Sequence, residues 1–262
     1  MITLSNKSLK GSLNESEHFE SVYQSARYKE WDRYYETTSE LEKILINQFR
    51  DFRITPKLIG SSATGTMRKF KPDADYAVAF DTPISNLEFE RRILASPLDI
   101  YDVNENRKHN YMKISGLYEG INFVLVPLEN PMGNIKTYPQ EAFYHPEFIN
   151  ERKKSNHSKT VILMKEFFEQ LGVYSEVKGI GCELMSLYFG GFHETISSLV
   201  GCDYLRINMS GSADSSSYDN LVIDYPILGK RSLTNGVTSE MYSRIKDFAR
   251  SVLEKPELIE VR

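Results

Sequence analysis

Cysteine is nearly absent from this chain. Cys182 and Cys202 are the only two in 262 residues. Two thiols do not make a disulfide framework, and no metal-ligand spacing surrounds them. Long apolar runs are missing as well. Stretches such as Phe123-Val124-Leu125-Val126 are far too short to cross a bilayer, and the opening MITLSNKSLKGSLNESEHFE lacks the apolar core of a signal peptide. These absences predict a cytoplasmic protein with no membrane partner. Excess positive charge is also missing. Lys and Arg number 32 against 36 Asp and Glu, a formal net charge of −4, which argues against a general nucleic-acid binder but leaves room for a local basic patch.

What is present is ordinary for a globular chain. Hydrophobic residues make up 40% and charged residues 26%, enough apolar content for a substantial core. The length suggests two domains. Tyrosine is frequent, at 16 residues; each ring can stack on a base or simply pack a core.

Patterning predicts an α+β chain. Residues 1–20 read as a polar lead-in. Tyr23, Tyr28, Trp31 and Tyr35 follow at roughly helical spacing. Ser39 and Glu42 fit a capping box for a helix over 40–54, with Leu41, Ile44, Leu45, Phe49 and Phe52 on its apolar face and Pro56 closing it. A strand over 57–59, a polar glycine turn over 60–66 and a second strand over 74–80 come next. A helix over 87–94 precedes two strands, 111–118 and 121–126, joined at Glu119-Gly120 in a hairpin signal; Pro127 is expected to end that sheet. This sheet-bearing part is assigned to 1–135. Residues 136–262 read as mainly helical, with helices over 158–171, 181–189 and 239–253, a polar loop over 210–217 and a short strand over 221–223.

Chemistry concentrates in the string GSSATGTMRKFKPDADYAV. Side chains two apart on a strand share a face, so Asp73 and Asp75 project together beside the glycine turn. Carboxylates on one face repel unless a cation joins them. Mg²⁺ takes oxygen ligands and bridges carboxylates to substrate phosphates. Gly60 and Ser61 offer backbone N–H groups and a hydroxyl to phosphate oxygens. Alone, the Asp-x-Asp pair also describes a solvated strand end. Strand, polar turn and paired acids in this order describe phosphoryl-transfer equipment.

The string resembles the signature of the DNA polymerase β-like nucleotidyltransferase superfamily. Beyond it, TYPQEAFYHPEFI (137–149), VILMKEFFEQLGVYSEVKGIGCELMSLYFGGF (161–192) and VIDYPILGKRSLTNGVTSEMYSRIKDFA (222–249) are similar to the archaeal-type (class I) CCA-adding tRNA nucleotidyltransferases. The resemblance spans roughly residues 55–250. The helical part is shared more distantly with oligoadenylate synthases and bacterial makers of cyclic oligonucleotides. It implies a polymerase β-like domain with a small mixed sheet followed by a mainly helical domain. It also implies NTP as substrate, Mg²⁺ (or Mn²⁺) held by Asp73 and Asp75, and a triphosphate gripped by Gly60 and Ser61. His145, Lys165 and Tyr174 match positions that serve the nucleotide in the family, and Arg231 matches an arginine that helps read the base.

The chain departs from the family at one chemical position. A third carboxylate is expected on the strand before Pro127, and the matching residue is Val124, with Asn122 on the same face. Glu129, just past Pro127, is a candidate replacement if the chain bends back. Ser62 and Thr64 stand where relatives often carry an aromatic residue and an arginine, and Arg68, Lys69 and Lys71 could compensate for the lost phosphate contact. Relatives also carry a C-terminal region that measures tRNA; without it, a smaller RNA or a nucleotide is the expected acceptor. Three readings follow: a nucleotidyltransferase acting on RNA or a nucleotide, an NTP- or RNA-binding protein that has lost the chemistry, and a cyclic or linear oligonucleotide synthase.

Overall fold

The computed structural model describes residues 6–106, 111–129, 135, 137–209, 220–224, 226–227, 232–234 and 236–261. The chain divides into two compact units, Tyr28–Glu151 and the pair of segments Met1–Arg27 and Arg152–Arg262. The first helix, α1 (Asn6–Ala26), belongs to the second of these units.

The unit Tyr28–Glu151 holds α2 (Trp31–Gln48), β1 (Ile54–Ile59), the short helix α3 (Gly60–Thr64), β2 (Asp73–Phe80), α4 (Asn86–Leu94), β3 (Asp99–Asn106), β4 (Tyr111–Tyr118), β5 (Ile121–Glu129) and α5 (Tyr138–Arg152). Helix α2 starts nine residues earlier than the capping pattern predicted. Its buried stripe, Tyr34, Thr37, Thr38, Leu41 and Leu45, extends N-terminal to Ser39, so that residue lies mid-helix. Glu42 instead accepts a hydrogen bond from the Tyr76 hydroxyl at 3.2 Å. Pro56 does not close the helix. It sits in β1, an edge strand, where its missing N–H costs no ladder bond on the outer side.

The strands form one sheet in the order β1-β2-β5-β4-β3. Only β2 and β5 pair in parallel. The β4–β5 hairpin turns at Glu119 and Gly120, both at positive φ (48° and 79°), as a two-residue type I′ connection requires. The expectation that Pro127 ends the sheet is corrected: β5 runs through it to Glu129, which pairs with Phe80. The β4 side of the ladder has already ended at Leu125, so the proline meets no donor-requiring neighbour there.

Strand parity sorts the two faces. Ala74, Tyr76, Val78, Phe80, Phe123 and Leu125 pack with Tyr34, Leu41 and Phe49 in the main core. The opposite face carries Asp73, Asp75, Ala77 and Ala79, and its lower part packs against Phe143 of α5, with Ile59 and Leu128.

The other unit combines α1 with α6 (His157–Leu171), α7 (Tyr174–Phe189), α8 (Phe192–Gly201), β6 (Leu205–Ile207), β7 (Leu221–Ile223) and α9 (Ser239–Glu254). Helix α1 was expected as a loose lead-in. It is held instead by Phe19, edge-on to Phe192 at 5.0 Å, and by His18, 3.0 Å from the Ile259 carbonyl. The short strands β6 and β7 pair in parallel. Helix α9 is capped by Thr238, which accepts from the Met241 N–H at 3.2 Å, and it buries Tyr242, Ile245, Ala249 and Val252. The polar stretch over 210–217 lies outside the described residues. Boundaries therefore fall at 27/28 and 151/152 rather than 135/136, because Phe19 ties α1 to the helices and Phe143 ties α5 to the sheet. Among the described residues, no helix is long and apolar enough to cross a membrane.

Candidate active site

The sheet unit builds its site from backbone geometry. Strand β1 ends at Ile59, paired with Asp75. The chain leaves the strand at Gly60, whose φ is +69°, and a Cβ there would lie 2.9 Å from Asp75 Oδ2. Only glycine satisfies both the positive φ and this close approach. The turn is tied down by its own hydroxyls. Ser62 Oγ donates to the Ile59 carbonyl at 3.2 Å, and Thr64 Oγ1 donates to Gly60 O at 3.3 Å. Gly65, at φ +78°, ends the short helix. Asn150 of α5 donates to the Ala63 carbonyl at 3.2 Å, bracketing the turn from the other side. Ser61, half-buried, follows Gly60.

Asp73 and Asp75 share the face expected from parity. Their partners on β5 are Asn122 and Val124, in register Asp73↔Asn122 and Asp75↔Val124. Paired residues in a ladder project to the same side, so Asn122 and Val124 stand beside the two acids. The β4 neighbour of Val124 is Ser115. Burial pushes the Asp73 carboxyl up from the ordinary carboxylate range, and the ammonium groups of Lys71 and Lys113 oppose that shift. A half-buried acid that gains from nearby cations fits a metal–phosphate partner.

The structure adds a residue that sequence reasoning passed over. Tyr34, fully buried on α2, donates its hydroxyl to the Asp73 carbonyl at 3.0 Å. Burial chiefly, with the Asp75 and Asp73 charges, holds this phenol protonated, so it remains a donor fixing the start of β2. Its signal was its spacing, three residues after Trp31 on the buried stripe.

Glu129 is excluded as a replacement acid. It lies five residues beyond Val124 on a continuous strand, roughly 16 Å away at about 3.3 Å per residue and on the opposite face. Among the described residues, no three His, Cys, Asp or Glu side chains cluster as a metal cage. His145 sits on α5, in the same unit as the acid pair, 7% exposed and with Nε2 3.7 Å from Glu141 Oε1.

The helical unit brings Lys165 and Tyr174 together. A Cβ on Gly179 would lie 3.2 Å from the Tyr174 hydroxyl and 3.6 Å from Lys165 Nζ, so both polar tips converge over one glycine. Lys165 is only 3% exposed. Next to Gly179, helix α7 is kinked at Lys178, whose φ of 64° and ψ of 165° fall in a region that glycine almost alone occupies. Just over two α6 turns before Lys165, His157 is buried and its Nδ1 is 3.0 Å from Ser186 Oγ. Burial first, then the charges of Lys153 and Lys165, lower its pKa to about 4. Neutral His157 leaves the positive charge of this region to the lysines. Neither His157 nor Lys178 was singled out from sequence.

Arg231 lies outside the described residues. Close to it in sequence, Asp224 is fully buried and grips Arg206, with Nε at 3.1 Å and Nη2 at 3.0 Å from Oδ2.

Comparison with known proteins agrees with this architecture. No family model matches the chain. A CCA-adding enzyme of Thermoplasma volcanium is 26% identical over 219 residues, covering 80% of this chain and 49% of the relative. The chain spans about half the length of the curated relatives it matches. Among solved structures, a cytoplasmic RNA terminal U-transferase superposes with a TM-score of 0.72 at 14% identity, over 95% of this chain and 99% of that one. CdnC of E. coli MS115-1, solved with ATP, gives a TM-score of 0.65 at 15% identity, over 91% and 90%. The chain shares its fold with these solved structures and is similar in sequence to archaeal CCA-adding enzymes.

Proposed function

We propose that this chain, with its polymerase β-like nucleotidyltransferase fold and its likeness to archaeal CCA-adding enzymes, transfers NMP from an NTP to a hydroxyl acceptor, an RNA or a nucleotide. The observation that carries the proposal is the closure of Gly60 on Asp75 with Asp73 on the same sheet face.

In this reading the acceptor oxygen bonds to the α-phosphorus while the bond to the bridging oxygen breaks. Pyrophosphate leaves, and the hydroxyl proton passes to solvent. Gly60 and Ser61 hold triphosphate oxygens by backbone N–H and hydroxyl donation. Asp73 and Asp75 would hold Mg²⁺, or Mn²⁺, together with those oxygens and water, a donor set that suits a hard ion. The ion supplies neutralisation of the phosphate charge. Lys165 and Tyr174 add a charge and a hydroxyl for phosphate, and His145 and Arg231 complete the nucleotide contacts as the family resemblance implies.

A second reading rests on Val124. An aliphatic side chain in register with Asp75 can neither hold a metal nor accept a proton. A general base is worth about 10²–10⁴ in rate, so a site without one would bind Mg–NTP and turn over slowly or not at all. The two readings separate on incubation with each labelled NTP, Mg²⁺ or Mn²⁺, with tRNA and without RNA. Chain-extended RNA or an extended nucleotide supports transfer. NTP binding without product supports the binder. Oligonucleotides made from NTP alone would place the chain among oligonucleotide synthases instead.

A further inference from the structure

Directly before Asp73 the chain makes an exposed turn, Lys69-Phe70-Lys71. Phe70 is 64% exposed and both lysines are exposed; Lys69 Nζ lies 5.0 Å from the phenyl centroid. The base of this turn is well fixed. The Lys71 N–H donates to Arg68 O at 3.3 Å, the Asp73 N–H to Lys71 O at 3.0 Å, and the Tyr28 N–H to Met67 O at 3.1 Å. The segment that pins it runs into α2, whose first turns present a second ring: Tyr35 is 51% exposed and stacked on Trp31, with centroids 5.5 Å apart and planes at 26°. Between Tyr28 and Tyr35, Tyr34 holds the Asp73 carbonyl. Two water-exposed rings and two lysines are thus anchored to the strand end whose first residue is Asp73.

Exposed aromatic faces beside cations recognise one chemistry well: a flexible phosphodiester strand whose unpaired bases can stack while its phosphates meet the ammonium groups. The local charge suits it although the whole chain is acidic. Gly60 approaches Asp75, two residues further along β2, whereas this turn leads through its backbone into Asp73, so the two turns reach the acid pair at different residues. We infer that Lys69-Phe70-Lys71 and Tyr35 form the platform for the 3′ end of a single-stranded nucleic-acid acceptor. Phe70 and Tyr35 stack on its terminal bases and the lysines hold its backbone. This rests on the nucleotidyl-transfer reading of the same site and adds where the acceptor strand lies.

The test is anisotropy of a labelled short single-stranded oligoadenylate across a salt series, with ATP binding and melting temperature measured on the same samples. Phe70→Ala should weaken oligoadenylate binding about tenfold, the loss of one base stack, with ATP affinity and melting temperature unchanged. The Lys69→Ala/Lys71→Ala pair should reduce the slope of log K against log salt by about 1.4, at roughly 0.7 per phosphate contact on a single strand. A blunt RNA duplex should bind more weakly than the single strand. Equal oligoadenylate affinity in the wild type and Phe70→Ala, or equal binding of duplex and single strand, would overturn the platform while ATP binding still upheld the nucleotide site. Loss of ATP binding in the wild type, with the Phe70 effect intact, would count against the transfer reading and leave the platform standing.

Discussion

The two units hold their candidate site side chains by different means. In the sheet unit, Asp73 and Asp75 are placed by backbone: strand parity, ladder register with β5, and a glycine that lets the turn reach a carboxylate. In the helical unit, Lys165 and Tyr174 are placed by packing, among buried polar neighbours and next to a strained residue, Lys178. Backbone placement fixes directions but not chemistry, and β5 illustrates this: its strand geometry is intact while Asn122 and Val124 occupy the positions beside the two acids. Packing placement ties chemistry to stability at Lys165, which is almost fully buried.

Substitutions sharpen this contrast. Asp75→Asn should leave the fold unchanged, since Asp75 is placed by its strand and not by packing, yet weaken Mg²⁺-dependent NTP binding by about 10²-fold, the scale of charge-assisted contacts. Calorimetric titration with and without EDTA measures it; equal affinity would detach the acid pair from the nucleotide.

The helical unit should instead show its dependence on pH. His157 is buried with its pKa lowered to about 4, whereas an unfolded histidine titrates near 6.5. Between these values the unfolded chain binds the extra proton, so stability rises with pH. The contribution is complete above about 6.5 and is lost as pH falls towards 4, about 3 kcal/mol over the window. Thermal unfolding from pH 7.5 to 4.5 should therefore be steeper for wild type than for His157→Gln, and parallel curves would remove the role.

Lys165→Ala should weaken NTP binding about tenfold through loss of phosphate attraction. Because the side chain is buried, it should also lower the melting temperature, a coupling that Asp75→Asn lacks. An unchanged NTP affinity would leave Lys165 a purely structural residue. The smallest effect is expected at Lys178. Glycine accepts its backbone conformation without strain, so Lys178→Gly should stabilise the unit by about 1 kcal/mol in chemical denaturation. A destabilised variant would show that the lysine side chain contributes more than its backbone costs.

The backbone geometry around Asp73 and Asp75 was legible because it depends on short-range pattern. The Asp-x-Asp spacing, the glycine turn and the Glu119-Gly120 hairpin each declare a local backbone state, and β4 runs over Tyr111–Tyr118 as read. What was missed depends on contacts distant in sequence. Helix α1 is polar along most of its length and is held by Phe19 against Phe192. Helix α5 contains Pro146, a residue that argues against a helix interior, and it persists because Phe143 packs on the far face of the sheet. The capping pattern at Ser39 was locally valid and lost to the longer buried stripe of α2. Tyr34 and His157 show no motif; only the fold reveals what their polar atoms reach.

The most direct measurement is incorporation of label from an α-labelled NTP into RNA by wild type, Val124→Asp and Asp75→Asn side by side. The account predicts slow incorporation by the wild type, about 10²-fold or more faster with Val124→Asp as a carboxylate returns beside Asp75, and none with Asp75→Asn. Wild type and Val124→Asp both indistinguishable from Asp75→Asn, with every NTP, metal and acceptor supplied, would contradict it.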